Sequence, residues 1–484
     1  MPDNPSTAKF SNSPPVEFIW GGAELVIRNP KASLLKYLQY YHKSLELSTK
    51  TYRREVHKEK TLLYREMEPE VVVTFHGFLD DLVRICNEES IPFTIDDRRP
   101  KMPAPVLMNA GGFRYSQKQL FFHMLGQNKS GLCQAPTRYG KTCLIANMVK
   151  VFPGVRTVVT APGVSLLTQL ERDLKQWCPD RDVRGIYTGS RNKKLSKDVT
   201  VVSMDSLEKS DPEAVQLLLV DEPHEAVSPS RLAVMGRFHN ARIYGFGATV
   251  SGRFDGADKL ITGTIGPVLV QKSYRDAVQE GAICPIIVYF LKLPFTPFDC
   301  STRDSAYRAL IFRNNHFNSV VQTILNVCVP IEWQTLIFID EIKQADLMER
   351  LVSDGVVAIA SRMNKDERQK NLDDMVSGRI KRCIATNIYA TGMTFPELRV
   401  MFNAAGGGGS ITATQKPGRL AQLLPGKKAG YVIDFLFEPI GELSTLKNKD
   451  WTYVTHDCYN RIGHYRKVGF EVRLANKPED IVLE

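Results

Sequence analysis

The stretch that most constrains this chain runs from Gln134 to Thr142, Gln-Ala-Pro-Thr-Arg-Tyr-Gly-Lys-Thr, directly ahead of the apolar segment Cys143 to Val149. It reads as a phosphate-binding loop. Gly140 lets the backbone turn tightly and aim amide N–H groups at an anion, Lys141 can reach terminal phosphates, and the Thr142 hydroxyl can hold Mg²⁺ at a helix N-terminus. The full pattern G-x-x-x-x-G-K-[ST] is not met, because Ala135 stands where the first glycine belongs and Arg138 occupies another position often given to glycine. A Gly-Lys-Thr turn that merely caps an ordinary helix is the plainer alternative.

A second, independent signal decides between them. Leu217 to Val220 is a continuous apolar run, as expected of a parallel strand buried on both faces, and it ends in Asp221-Glu222-Pro223-His224. Acidic residues at the carboxyl end of such a strand lie where an open α/β sheet binds its ligand. Asp221 is expected to hold Mg²⁺ through water and Glu222 to polarise an attacking water. An exposed acidic turn is the alternative, and it does not explain the loop upstream.

The rest of the chain alternates strand and helix. Val16–Trp20 and Glu24–Arg28 flank Gly21-Gly22 as a hairpin, Ser33–Leu47 has apolar and aromatic residues at helical spacing, and the charged stretch Lys50, Arg53, Arg54, Lys58, Lys60 follows. That stretch is a solvated face or a basic edge that grips a duplex. A strand from Glu70 to Phe75, a helix from His76 to Glu88 and a strand from Ile91 to Ile95 complete a small α/β unit, and Lys101–Pro105 reads as a linker. Gln117, at the head of a helix near Lys118, can place its amide on an adenine edge, since an amide both donates and accepts.

Strands at Arg156–Thr160, Val199–Ser203 and Ile243–Phe246 accompany Leu217–Val220, with a helix from Ser165 to Trp177. A second unit repeats the alternation: strands at Thr335–Asp340, Val356–Ala360, Arg382–Ala385, Arg399–Asn403 and Gly430–Phe435, and helices at Ile342–Leu351 and Lys365–Val376. Gly406–Gly409 is a flexible tether or a close backbone approach to a ligand. A helix around His456–Tyr465 and a strand at Phe470–Leu474 end the chain, and the aromatics between Tyr289 and Phe298 are assigned to the core before base stacking.

Composition narrows the setting. The 484 residues have room for two or three domains, and 43% hydrophobic content supplies their cores. The net charge of +10, from 63 Lys plus Arg against 53 Asp plus Glu, suits a polyanionic partner without requiring one. Nine scattered cysteines without a C-x-x-C pair indicate neither a disulfide framework nor zinc. With no leader and no membrane-length apolar run, the expectation is a cytoplasmic protein that avoids membranes.

In this order the motifs resemble superfamily 2 helicases of the DExH type, most closely the phage DNA-remodelling, branch-migration helicases typified by UvsW, with kinship to the XPB and RecG groups. The resemblance covers about residues 110 to 435 and suggests a phage source. Ala135–Thr142 is similar to motif I, Pro162 with Leu166 and Gln169 to motif Ia, and Asp221–His224 to motif II. Gly247-Ala248-Thr249 stands for motif III, Thr386 with Gly392 and Pro396 for motif V, and Gln415–Arg419 for motif VI.

The resemblance implies an α/β protein of two tandem RecA-like parallel-sheet domains behind a small α/β N-terminal accessory domain that holds or splits duplex DNA. The divisions expected are 1–105 for the accessory domain, 110–280 and 281–440 for the RecA-like domains, and 441–484 for a C-terminal extension. It implies ATP and Mg²⁺ between the RecA-like domains, on Gln117, Thr137, Gly140, Lys141, Thr142, Asp221 and Glu222 from one side and Gly392 and Arg419 from the other. Pro162, Gln169, Ser203 and Thr386 are the implied nucleic-acid contacts, made mainly to phosphates. The implied activity is ATP-dependent unwinding or branch migration of forked, branched or single-stranded DNA, 3′ to 5′, by a monomer in the host cytoplasm, alongside replication, recombination or repair proteins.

Two positions depart from the pattern. Gln422 stands where relatives carry a last motif VI arginine that reaches the γ-phosphate, and Thr394 where they usually carry an acid. A nucleic-acid-binding scaffold with a decayed ATPase is therefore one rival reading, and an RNA helicase on the same motor is another.

Overall fold

The computed structural model describes residues 14–47, 54–187, 196–226, 228–248, 256–349, 355–358, 364–386, 395–408, 416–441 and 447–484. Its strands form three sheets and one ribbon. The first sheet runs Tyr64–Glu68, Val71–Phe75, Glu24–Arg28, Val16–Trp20 and Phe93–Asp97, antiparallel except for its last pair. Phe18, Leu25, Ile27 and Val72 alternate inward and, with Leu79, Leu82 and Cys86 of helix Leu79–Glu88, make its core.

Two seven-stranded, wholly parallel sheets follow, the expected pair of RecA-like layers. The first has the order Val183–Ile186, Val199–Ser203, Thr157–Ala161, Leu217–Asp221, Arg242–Gly247, Gly131–Gln134, Val268–Gln271. Thr157–Ala161 and Leu217–Asp221 are buried along their whole length, because helices cover both faces of such a sheet. The second sheet has the order Gly355–Ala358, Arg382–Ala385, Gln334–Phe338, Leu398–Asn403, Gly430–Pro439, Ile286–Phe295, Glu471–Ala475.

Three expectations need correction. The helix expected over Ser33–Leu47 covers only Ala32–Tyr37, and Gln39–Leu47 is instead a strand paired antiparallel with Arg54–Leu62. Tyr40 and Tyr41 favour extended backbone, and nine cross-strand pairs outweigh the local helical spacing. The separate extension expected at 441–484 is built into the second parallel sheet: Glu471–Ala475 pairs with Ile286–Phe295, and Trp451 packs edge-on against Phe295.

The glycine run, third, is not a free tether over Gly406–Gly408; Gly409 lies outside the described residues. Gly406 and Gly407 have φ of +67° and +84°, and a Cβ on Gly408 would stand 2.3 Å from Asp457 Oδ1. The run lies against helix Thr452–Val468, where Arg461 forks onto Asp434 at 2.8 and 2.9 Å and also donates to the Gly407 carbonyl. Tyr465 and Asn403 donate to Asp434 as well, and Tyr307 and Arg303 donate to Asp457 at 2.6 Å each.

The N-terminal domain is docked on the first parallel-sheet domain with no room for added side chains. A Cβ on Gly22 would meet the His239 carbonyl at 1.6 Å, and one on Gly77 the Thr262 carbonyl at 1.9 Å. His76, 4% exposed, bonds through Nε2 to the Thr264 carbonyl at 2.9 Å; burial first, with the Arg242 and Arg99 charges adding to it, lowers its pKa to about 4. Lys129 and Asp80 close the seam at 2.6 Å.

Candidate active site between the two parallel sheets

Strand Gly131–Gln134 delivers the phosphate loop to the carboxyl edge of its sheet, and helix Lys141–Val151 leaves from it. Gly140 is the helix N-cap at φ +96°, with no side chain capping the first turn, so its opening N–H groups face outward for an anion. The two irregular loop residues have structural explanations. Ala135 is fully buried, donates its N–H to the Gly247 carbonyl at 3.0 Å and joins the apolar core of the second parallel-sheet domain. Arg138 adopts φ +72°, the left-handed backbone that glycine usually supplies.

Gln117 braces this loop. Its amide donates to the Tyr139 carbonyl at 2.6 Å and accepts from the Arg114 N–H at 2.8 Å, so in this state it is spent on backbone instead of facing a free adenine edge. A Cβ on Gly140 would stand 2.4 Å from the same amide nitrogen, which explains the glycine a second time. Ser116, Lys272 and Glu280 form a further brace that sequence reading missed. Ser116 Oγ lies 2.8 Å from the Tyr139 hydroxyl and 2.7 Å from Glu280, and Lys272 pairs with Glu280 at 3.0 Å. Separations of more than a hundred residues leave no local pattern that would have revealed it.

Opposite the loop, Asp221 ends its strand and Glu222 turns away at φ +50°, its N–H donating to the Phe246 carbonyl at 2.9 Å. Lys141 Nζ lies 3.5 Å from Glu222 Oε1, and His224 Nδ1 lies 3.5 Å from Glu222 Oε2. Asp221 Oδ1 and Glu222 Oε2 are buried with no hydrogen-bond donor among the described residues. Burial, and then repulsion from Glu222, pushes the Asp221 carboxyl well above the usual carboxylate range. A divalent cation would reverse that shift, so this donor set fits Mg²⁺.

From the second domain comes the short 3-10 turn Arg419–Ala421, and with it Arg419, 5% exposed. A Cβ on Gly418 would lie 2.8 Å from Thr137 Oγ1, so the two domains touch at this point. Lys141 and Glu222 are thus paired beside the point where Thr137 meets Gly418 and Arg419, whose charge feels that of Glu222, with Gln117 bracing the loop from behind. Gly392, Thr249, Thr394 and Gln415 lie outside the described residues.

Pro162, Ser203 and Thr386 all sit just past or at the carboxyl ends of parallel strands, and Ser203 neighbours Ala161 across the sheet. Between them Gly163, at φ +76° with open space around it, begins helix Val164–Trp177. Gln169 is set back in that helix and donates to Asp173 at 3.4 Å. Among the described residues no group of His, Cys, Asp and Glu could hold a metal by itself, all nine cysteines are free thiols, and no helix is long and apolar enough to cross a membrane.

Comparison with known proteins matches two stretches of the chain, one on each parallel sheet. The family model for the Type III restriction enzyme res subunit matches residues 111–252, and the helicase conserved C-terminal domain matches residues 316–423. Putative helicase 22 of Sulfolobus islandicus filamentous virus is 22% identical over 437 residues, covering 83% of this chain and 77% of that protein. The fold is shared with the Type ISP restriction-modification enzyme LlaBIII bound to DNA, at a TM-score of 0.55 and 15% identity, over 76% of this chain and 32% of that one. It is shared as well with a variant of S. cerevisiae Dbp5 bound to RNA and ADP BeF3, at a TM-score of 0.51 and 16% identity, over 75% and 90%. The res-subunit model thus falls on the first parallel sheet and the helicase C-terminal model on the second, so each half of the chain is similar to a helicase domain.

Proposed function

We propose that this protein is an ATP-dependent DNA helicase or translocase that unwinds or branch-migrates forked and branched DNA, moving 3′ to 5′ as a monomer. The observation that carries the reading is the meeting of the two domains: Lys141 pairs with Glu222 beside buried Asp221 in the first, and the Glu222 charge acts on Arg419 of the second, next to the Gly418–Thr137 contact. Lys141 and the open first turn of its helix would bind the phosphates, while Thr142 and Asp221 would hold a Mg²⁺ ion that supplies charge neutralisation there. Glu222 takes a proton from the attacking water as that water bonds to the γ-phosphorus. The bond from phosphorus to the bridging oxygen breaks, its electron pair leaving with ADP, and Arg419 offsets the charge that develops. Closing and reopening of the cleft then moves one domain along a strand held by its phosphates near Pro162, Ser203 and Thr386.

The antiparallel ribbon supports a duplex or fork as the substrate. Its register pairs Tyr41 with Lys60 and Lys43 with Lys58, which puts one exposed aromatic and three lysines on one face, while Glu59 lies on the other. Its root is held by Lys259, which donates to the Tyr37 and Gln39 carbonyls at 2.5 and 3.2 Å. A cationic, aromatic face beside the motor suits phosphates and a terminal base pair.

The test is steady-state ATP hydrolysis by wild type and Lys141→Ala, alone and with forked DNA, single-stranded DNA or structured RNA. Stimulation by forked DNA above the RNA, lost in Lys141→Ala, is the expected result. Stimulation by RNA alone transfers the reading to an RNA helicase. A wild type as silent as Lys141→Ala that still binds DNA makes it a binding scaffold, the reading that Gln422 favours.

A further inference from the structure

The segment that joins the two parallel sheets holds on to both sides of the candidate site. At its start the Lys272 N–H donates to the Gln134 carbonyl at 2.8 Å, at the foot of the phosphate loop. Helix Tyr274–Gln279, capped by Ser273, then carries the chain to Glu280. A serine hydroxyl has one proton to give and two lone pairs. Ser116 Oγ gives its proton to Glu280 at 2.7 Å and accepts from Lys272 Nζ at 2.9 Å, which leaves its second lone pair for the Tyr139 hydroxyl at 2.8 Å. Tyr139, 2% exposed, stands two residues before Lys141 and belongs to the same core as Ala277, Ala282 and Ile283 of the segment. At the other end the Cys284 N–H donates to the Ala421 carbonyl at 2.9 Å, on the turn Arg419–Ala421. Lys427 Nζ takes up the carbonyls on either side, Leu420 at 2.6 Å and Gln422 at 3.2 Å, and a Cβ on Gly430 would stand 2.5 Å from that of Leu420. The Arg419 turn is thus pinned to the segment that also braces the phosphate loop.

We propose that Lys272–Cys284 is a strut that sets the phosphate loop and the Arg419 turn relative to one another, with Glu280 and Lys272 as its positioning residues. Glu280 fixes Tyr139 through Ser116, and with it the backbone from which Lys141 departs. Cys284, four residues on, fixes the turn from which Arg419 departs. An ordinary surface ion pair does not fit the cluster, because the Lys272 and Glu280 side chains are only 14% and 21% exposed and Glu280 Oε2 alone takes both Ser116 and Lys272. An ion pair taken this far out of water adds little net stability, so its use lies in the geometry it enforces. That geometry matters to the reaction: a misplacement of about 1 Å in a reacting group costs on the order of 10²-fold in rate.

This inference rests on the ATPase reading above, and the experiment keeps the two apart. Amide hydrogen exchange is followed by mass spectrometry in the nucleotide-free protein, beside ATP turnover and the affinity for a non-hydrolysable ATP analogue. The proteins are wild type, Glu280→Gln, Tyr139→Phe and the exchanged pair Lys272→Glu/Glu280→Lys. Glu280→Gln is expected to speed exchange over residues 135–142 and also over 282–284 and 419–424, at the far end of the strut. Its turnover is expected to fall about 10²-fold while analogue affinity stays within about threefold, the split of a misplaced group. Tyr139→Phe removes one hydroxyl and is expected to show the same pattern at about tenfold. The exchanged pair is expected to recover most of the loss, since Ser116 can give its proton to either side. Exchange that rises in the phosphate loop alone, or wild-type turnover in both Glu280→Gln and Tyr139→Phe, overturns the proposal. Turnover and analogue affinity that fall together, unrescued by the exchanged pair, make the cluster a support for the fold only and overturn it too. A wild type that never hydrolyses ATP fails the ATPase reading, and the linked exchange at 419–424 still decides whether the strut exists.

Discussion

The two parallel sheets are alike in strand number and direction and differ in how they present their chemistry. The first sets its candidate groups on rigid strand ends and a helix N-terminus: Lys141 follows Gly140, and Asp221 closes a fully buried strand. The second offers Arg419 from a turn of three residues. Elsewhere in that domain Arg461 of the C-terminal helix anchors Asp434 and the Gly407 carbonyl. The first side takes its groups from two local motifs, the second from one short turn, and both domains are tied together by distant residues.

The comparison breaks most sharply at the carboxylates. Glu222→Gln is expected to lower ATP turnover by about 10²–10⁴-fold while nucleotide binding survives, as for loss of a general base; an unchanged rate would move that role elsewhere. On the second sheet, Arg461→Ala removes the charge partner of fully buried Asp434, and urea unfolding should show a loss of about 3–5 kcal/mol. A loss below about 1 kcal/mol would mean that the network is dispensable and that the two sheets are equally self-sufficient.

The docked N-terminal domain supplies a pH test. His76 is neutral when folded, its pKa held near 4 against an ordinary 6.5, so the unfolded chain takes up a proton that the folded chain refuses. Its contribution is complete above about pH 6.5 and fades as pH falls toward 4, at most about 3 kcal/mol. Thermal melts should show that loss in wild type and a flatter profile in His76→Gln. The smallest effect belongs to the ribbon: Lys58→Ala should reduce the salt slope of DNA binding by about 1, and leave basal ATP turnover alone. An unchanged slope would remove the ribbon from the nucleic-acid path.

Most of the first parallel sheet was legible in the chain, because Leu217–Val220 and Val199–Ser203 carry their burial in their own composition. The Arg382–Ala385 strand and the Lys365–Val376 helix were equally plain. What escaped was tertiary. The pairing that makes Gln39–Leu47 a strand lies in Arg54–Leu62, the partner of the glycine run lies some fifty residues downstream in Arg461, and Ala135 is explained by a core belonging to the other domain. Of the site, the loop and the acidic pair were readable as motifs. The committed state of the Gln117 amide appears only once its helix packs against the phosphate loop.

Between Gln271 and Ile286 the chain passes from one parallel sheet to the other, and its last strand returns to the second sheet only. Among the described residues no main-chain hydrogen bond joins the two sheets or the segments around them across the cleft. The halves are therefore like covers on a single narrow spine: they can part and close without unzipping any ladder. The work of each stroke falls on side chains and on whatever lies between them, so the fuel can act as the clasp.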